Sequence, residues 1–401
     1  MDDDHLDDDH PAVHESPVAH ENDVDHDIVG RIVTPDGIIE GRLRIERDRI
    51  TSLHPGPVPA DAPWLVPGFV DMHVHGGGGH TFTTGDAAAA RSAAAFHLAH
   101  GTTTLLASLV SGPHDLMLSA TTAYAPLVDE GVLGGIHFEG PYLARALCGA
   151  QNPEFLREPS TAELGVLIDG GDGAVRMVTL APELPGAHDV IRLLVERNVV
   201  AAIGHTDATY RQVADAIEEG ATVGTHVFNG MRPPHHRAPG PAYALLGTPG
   251  VTCEFVADGV HLADETLEFA FRVVGGSRAA LITDAIAAAG MTDGTYELGG
   301  QPVIVADRVA RLASSGGGEP GSIAGSMLTM DTAFRRALRI TGSIVTAARA
   351  AATTPARALG FANRGALVAG QRADVLTFTP DLTLTEVWQA GRRFEIDDLD
   401  S

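Results

Sequence analysis

The segment DMHVHG sets His73 and His75 two residues apart. On an extended backbone that spacing points both imidazoles to the same side. Two neutral imidazoles side by side suit a divalent cation. An HxH pair alone is a weak motif, because paired histidines are more often structural. Further candidates follow other apolar runs: Glu139 in HFEGPYL, His205 in GHTDAT, His226 in GTHVFNGM and Asp284 in LITDA. Together the six are enough for two metal positions, since one site needs three protein ligands plus water.

Asp284 invites two readings. It suits a helix N-cap, and a carboxylate beside an activated water also suits a general base. A divalent metal lowers the pKa of such a water toward roughly 7. Glycine and proline directly after Glu139 force the chain to turn, which leaves the carboxylate at the mouth of its strand. His137, two residues earlier, reads as barrel interior and not as a ligand. The long Pro- and Gly-rich loop after His226 carries Arg237, whose planar fork fits a phosphate or carboxylate; taken alone it reads as a surface arginine. His235 and His236 read as solvent-facing. Cys253 reads as a small core residue. Cys148 lies near the candidate site without partners that would activate it. The chain contains no lysine, which excludes Schiff-base chemistry, a lysine general acid and a carbamylated-lysine metal bridge.

These residues need a scaffold that gathers strand ends. Eight near-continuous apolar runs (VPGFVDMH, GTTTLLAS, VLGGIHFE, AVRMVTLAPE, VVAAIGHT, ATVGTHVF, VTCEFVAD and AALITDA) alternate with Ala-rich helical stretches. Such runs fit parallel strands buried on both faces, and eight units predict a (β/α)₈ TIM barrel over residues 67–360. A doubly wound open sheet is the alternative, without a GxGxxG or P-loop to support it. Polar residues then recur at the C-terminal strand ends, the face where barrel enzymes build active sites. Asp71, Glu183, Asp258 and His261 belong to the same pattern. Alternating stretches at residues 28–66 and 361–398 predict one small β-sandwich domain made from both chain ends. A hairpin is expected near residues 296–312.

The chain is 401 residues long with a formal charge of −25. Residues 1–27 hold eleven carboxylates, five histidines and no arginine, and are expected to be disordered. A solvated tail is favoured there over a metal-scavenging one. No basic stripe supports nucleic-acid binding. No apolar run approaches the roughly 18 residues of a spanning helix. The acidic start carries no secretory pattern, and two cysteines are too few for a disulfide framework. A cytoplasmic protein is expected.

The motifs PGFVDMHVHG, HFEGPYL, GHTDAT, GTHVFNGM, ADGVH, LITDA and IAGSMLTMD, with the closing PARALG and GALVAGQRADVLTF, carry a resemblance that runs over residues 28–394. The chain resembles the N-acetylglucosamine-6-phosphate deacetylase family of the amidohydrolase superfamily. HFEGP, HVFNGM and ADGVH are the specific carriers, whereas the closing block is general to the superfamily. The resemblance implies that Glu139, His205 and His226 bind a principal metal and that His73 and His75 complete a second. It implies one or two zinc, iron or manganese ions per subunit. Asp284 would be the catalytic acid/base and would also contact metal. Ala150, Gln151, Asn229, Gly230, Ile323, Ala324 and Gly325 would contact substrate, while Asp258 and His261 would line the sugar pocket. Arg237 would take the sugar phosphate from across a homodimer. Some family members carry His where this chain has Gln151, which cannot titrate near neutral pH. The implied reaction is hydrolysis of the acetamide of an amino-sugar phosphate. Another N-acyl substrate, such as N-acetylgalactosamine 6-phosphate, and an inactive metal-binding barrel are the competing readings.

Overall fold

The computed structural model of the protein describes residues 25–313 and 321–396. Strands β1 (His26–Thr34), β2 (Gly37–Glu46) and β3 (Arg49–Pro55) form an antiparallel meander, and β4 (Trp64–Pro67) runs parallel to β1. Most of the acidic segment, residues 1–24, lies outside the described residues. Its expected end at residue 27 moves back, because His26 and Asp27 already pair with β2 and Asp27 forms an ion pair with Arg42.

The next eight strands are parallel: β5 (Phe69–Val74), β6 (Thr102–Val110), β7 (Gly135–Glu139), β8 (Val175–Leu180), β9 (Val200–Ile203), β10 (Val223–Gly224), β11 (Thr252–Val256) and β12 (Ala279–Ile282). Each is paired with its sequence neighbours. The first and last close the ring through Asp284 N–H to the His73 carbonyl (2.9 Å) and His75 N–H to the Ala285 carbonyl (2.8 Å). One helix follows each strand: α1 (Ala87–Ala99), α2 (His114–Asp129), α3 (Thr161–Gly170), α4 (Ala187–Glu196), α5 (Tyr210–Glu218), α6 (Gly240–Gly247), α7 (Asp264–Val274) and α8 (Met330–Thr341). The strands are buried almost throughout, with helices on the outside and side chains filling the inside. This is the expected TIM barrel, and it explains why the strands read as apolar runs without alternation.

Between β12 and α8 the chain inserts β13 (Gly294–Leu298), β14 (Gln301–Ala306) and β15 (Val309–Leu312). The expected hairpin is therefore a three-stranded antiparallel sheet. It packs Leu298, Val303 and Val305 with Val110 and Ile286 of the barrel mouth. The C-terminal strands β16 (Val375–Phe378), β17 (Leu384–Gln389) and β18 (Arg392–Glu395) join the N-terminal ones as anticipated. They do so as one sheet, ordered β18-β17-β16-β4-β1-β2-β3, and not as two separately bonded layers. The reason is β4, which pairs with β1 on one side and β16 on the other. The sheet folds over itself, so Leu43 and Ile45 of β2 share an apolar cluster with Val375 and Trp388. Among the described residues no helix is long and apolar enough to cross a membrane.

Arg372 fastens the small sheet to the barrel, and an ion pair with Asp374, two residues on in the same segment, holds it in place. Arg372 reaches Asp374 at 2.6–2.9 Å and also bonds the Thr103 carbonyl and the Thr104 hydroxyl of β6. Asp374 further accepts from Ala390 N–H and gives its carbonyl to Gly68 N–H. Removing one member leaves the other buried and unpaired, which costs about 3–5 kcal/mol. Asp374→Ala is therefore expected to lose about that much stability in urea unfolding followed by circular dichroism. Unchanged stability would show that the pair does not hold Arg372 in its fastening position.

Candidate metal centre

The site sits at the C-terminal mouth of the barrel, and the backbone aims its side chains in a repeated way. His205, His226 and Asp284 each lie just beyond the ends of their strands. Each has a positive φ (46°, 26° and 50°). Non-glycine residues rarely adopt this conformation, and it persists only where the surrounding structure enforces it. The turn re-aims each side chain from the strand direction into the mouth. This geometry also removes the helix-cap reading of Asp284, since no helix starts there.

Four imidazoles and two carboxylates converge. Glu139 Oε1 lies 2.9 Å from His205 Nε2 and 3.0 Å from His226 Nε2, which are 3.1 Å from each other. Glu139 Oε2 lies 3.2 Å from His75 Nε2, and His75 Nε2 lies 3.1 Å from His73 Nε2. Asp284 Oδ1 is 3.4 Å from His75 Nε2 and 3.7 Å from His73 Nε2. Two ligand triads result, His73–His75–Glu139 and Glu139–His205–His226, both buried.

The far nitrogens decide whether these atoms fit a metal. His75 Nδ1 faces the Ser108 carbonyl (3.1 Å), His205 Nδ1 the Leu147 carbonyl (2.9 Å) and His226 Nδ1 the Asn229 carbonyl (3.1 Å). A carbonyl only accepts, so each Nδ1 carries the proton and each neutral ring turns an Nε2 lone pair inward. Lone pairs 3.1 Å apart beside a carboxylate repel unless a cation lies among them. The donor set therefore fits a divalent metal of the kind that takes mixed N/O ligands.

Protons fill the role in the metal-free state. Burial disfavours a charged ring at His75, yet Asp284 and Glu139 outweigh it and raise its pKa to about 9. His73 and His205 are raised against burial chiefly by Glu139. Burial would raise the carboxylates too, but His73 and His205 hold Glu139 well below its usual range, and His75 and His73 bring Asp284 to about 2.

Beneath the cluster lies a polar layer where barrels ordinarily hold branched apolar side chains. Ser108 Oγ bonds Val74 N–H and His137 Nδ1, His137 Nε2 bonds Thr179 Oγ1, and Thr179 Oγ1 bonds Thr225 Oγ1, at 2.9–3.0 Å. Both nitrogens of His137 are thus taken, and burial with the neighbouring His73 holds its pKa well below the usual imidazole range. Asp71 joins first strand to last, accepting from the Thr283 hydroxyl at 2.5 Å. Glu183 accepts from Thr206 Oγ1 and Asp207 N–H, steadying the turn that carries His205.

A cavity of about 270 Å³ opens over the cluster. His75, Glu139, His205, His226 and Asp284 line it, together with Ala150, Gln151, Asn229, Gly230, His261, Ile323 and Gly325. His73 lies fully buried below. Several lining residues also serve the ligands: Gln151 donates to Glu139 Oε2 at 2.6 Å, and Gly230 has φ +59° where a Cβ would stand 2.9 Å from His205 Nδ1. Asp258 does not line the cavity; its carboxylate holds His261 Nδ1 at 2.7 Å. Ala324 is buried behind its lining neighbours. Arg237 is exposed, against His236, away from this chain's own cavity. Burial raises the pKa of Cys148, so no thiolate is activated there. Cys253 is buried with its thiol toward the Leu245 carbonyl.

Sequence reasoning missed Gly149, Leu298 and Ser322 in the cavity wall. Leu298 comes from the inserted sheet, whose placement over the mouth no local pattern encodes. It also missed Glu254, fully buried in β11, whose Oε2 lies 3.3 Å from His73 Nδ1 and accepts from His226 N–H at 3.2 Å. A lone glutamate inside the apolar run TCEFV was the available signal.

The fold and ligand set define a metallohydrolase-type barrel, and comparison places it. A match to the Amidohydrolase family covers residues 64–397, and the chain belongs to that metal-dependent family. It is similar to N-acetylglucosamine-6-phosphate deacetylase of Lysinibacillus sphaericus, at 33% identity over 82% of this chain and 85% of the relative. It is 36% identical to N-acetylgalactosamine-6-phosphate deacetylase of Escherichia coli O157:H7, over 90% and 97%. Among solved structures, a mutant N-acetyl-D-glucosamine-6-phosphate deacetylase of Mycobacterium smegmatis, in complex with N-acetyl-D-glucosamine-6-phosphate, superposes with a TM-score of 0.88 at 43% identity, covering 92% and 99%.

Metal loading at neutral pH, below the raised value at His75, must displace protons. Affinity is therefore expected to fall from about pH 8 to about pH 6, with protons released on binding. Calorimetry in buffers of different ionisation enthalpy measures both. A pH-independent affinity without proton release would contradict the assignment of these nitrogens.

Proposed function

We propose that the protein hydrolyses the acetamide of N-acetylglucosamine 6-phosphate to glucosamine 6-phosphate and acetate. The observation that carries the reading is a complete ligand cluster with the Asp284 carboxylate beside it on the wall of one small cavity. The deacetylases among its relatives support the substrate. Zinc, iron or manganese, at one or two ions per subunit, suits the donors. A bound divalent cation supplies Lewis acidity to this reaction class.

The chain's own residues do the rest. Asp284 accepts a proton from the attacking water as its oxygen bonds the acetyl carbon. It then returns that proton to the sugar nitrogen as the C–N bond breaks. Asp258 fixes the proton of His261 on Nδ1 and leaves Nε2 for the substrate. The backbone at Asn229 and Gly230, and at Ile323 and Gly325, borders the sugar space beside Ala150 and Gln151. Arg237, turned outward from its own subunit, reaches the substrate phosphate across a homodimer in this reading, and the enzyme belongs to cytoplasmic amino-sugar metabolism.

The Escherichia coli relative favours a second reading, in which the galacto epimer is the substrate. Relative kcat/KM on the two epimers, each with and without phosphate, separates them. Arg237→Ala is expected to raise KM for the phosphorylated sugars while leaving the slow turnover of unphosphorylated ones unchanged. Equal use of phosphorylated and free sugars would remove the phosphate from the proposal.

Asp284→Asn is expected to lower kcat by about 10²–10⁴-fold while retaining most of the metal. Near wild-type amine release from that variant would end its assignment. No amine release from metal-loaded native protein would favour an inactive metal-binding barrel.

A further inference from the structure

Three of the four inward-facing imidazoles are held from behind by backbone carbonyls. His73 alone is held by a carboxylate, Glu254. Glu254 is fully buried in the middle of β11, between Cys253 and Phe255. Its Oε2 serves His73 Nδ1 and His226 N–H, and its Oε1 is buried without a hydrogen-bond partner. Among the described residues its only ion-pair partner is His73, and no arginine reaches it.

A buried carboxylate without an adjacent cation is costly, by several kcal/mol per ion. Positive charge must come through His73. A carboxylate facing Nδ1 can only accept, so it fixes the ring proton there and presents the Nε2 lone pair 3.1 Å from that of His75. It also makes the ring a stronger donor than one backed by a neutral carbonyl.

We propose that Glu254 is a positioning residue that commits His73 to metal binding at the His73–His75–Glu139 triad, the second position that the family resemblance already implies. The same carboxylate oxygen holds the backbone of His226, a ligand of the other triad, and so ties the two positions together. Glu254 touches neither substrate nor the cavity. Its role stands apart from the identity of the substrate, and its test needs none.

The experiment uses the full chain, stripped of metal and reloaded with Zn²⁺ or Co²⁺. Metal per subunit is read by elemental analysis, and stepwise affinity by competition with a chromophoric chelator. Wild type is expected to take two ions. Glu254→Gln is expected to keep the ion at Glu139–His205–His226 and to weaken the other about 10–100-fold. Glu254→Asp, which keeps the charge, is expected to restore part of the second affinity. In a His73→Gln background, Glu254→Gln should cause no further loss. The proposal is overturned if wild type takes only one ion at saturation, or if Glu254→Gln binds both with unchanged affinity. Equal weakening of both ions, or failure of both Glu254 variants to fold, assigns Glu254 to general stability and overturns it as well.

Discussion

Glu139 stands where two groups of inward-pointing lone pairs meet, and the rest of the structure is arranged around making that meeting tolerable. Its Oε1 faces His205 and His226, and its Oε2 faces His75. Nitrogens fixed as acceptors by the carbonyls, and for His73 the carboxylate, behind them cannot bond one another at 3.1 Å. They require positive charge between them, as protons or as metal. A chain without lysine has no carbamate to place there, so a glutamate at a strand mouth takes the central position.

Holding such a cluster open needs rigidity that the ligands do not supply. The turns at His205, His226 and Asp284 share an unfavourable backbone conformation, which the barrel below imposes. Asp71 and Thr283 lock the first strand to the last. Ser108, His137, Thr179 and Thr225 satisfy one another under the ligands, so polar atoms there carry no unpaired penalty. The inserted sheet then brings Leu298 over the mouth and narrows it to the size of a small ligand. Acid/base chemistry falls to Asp284 because its carboxylate stands on the cavity wall beside the ligand cluster, 3.4 Å from His75 Nε2.

Much of this was legible in the sequence. Parallel strands buried on both faces leave long apolar runs, and ligands just past them leave ionisable residues at a recurrent position. His73, His75, Glu139, His205, His226 and Asp284 were readable for that reason. Supporting residues at strand ends, such as Asp71, Glu183 and Asp258, were readable on the same ground, but Glu254 was not. Glu254 lies within an apolar strand, where the periodicity that marks a strand says nothing of what a side chain reaches across the barrel. Leu298 and Ser322 enter the wall through long-range packing. The two chain ends were legible as strands, but the single curled sheet depends on β4 bridging them, which is a matter of pairing and not of pattern. Gln151 was expected to meet substrate; it lies in the cavity wall and is also bound to Glu139.

The central claim is that one carboxylate gathers both metal positions, and the most direct measurement is the metal content of Glu139→Gln beside wild type after identical loading. An amide there keeps the shape, removes the charge and turns a donor toward some of the imidazoles. The account predicts that both positions lose their ions while the barrel stays folded by circular dichroism. Full metal content in that variant would contradict it.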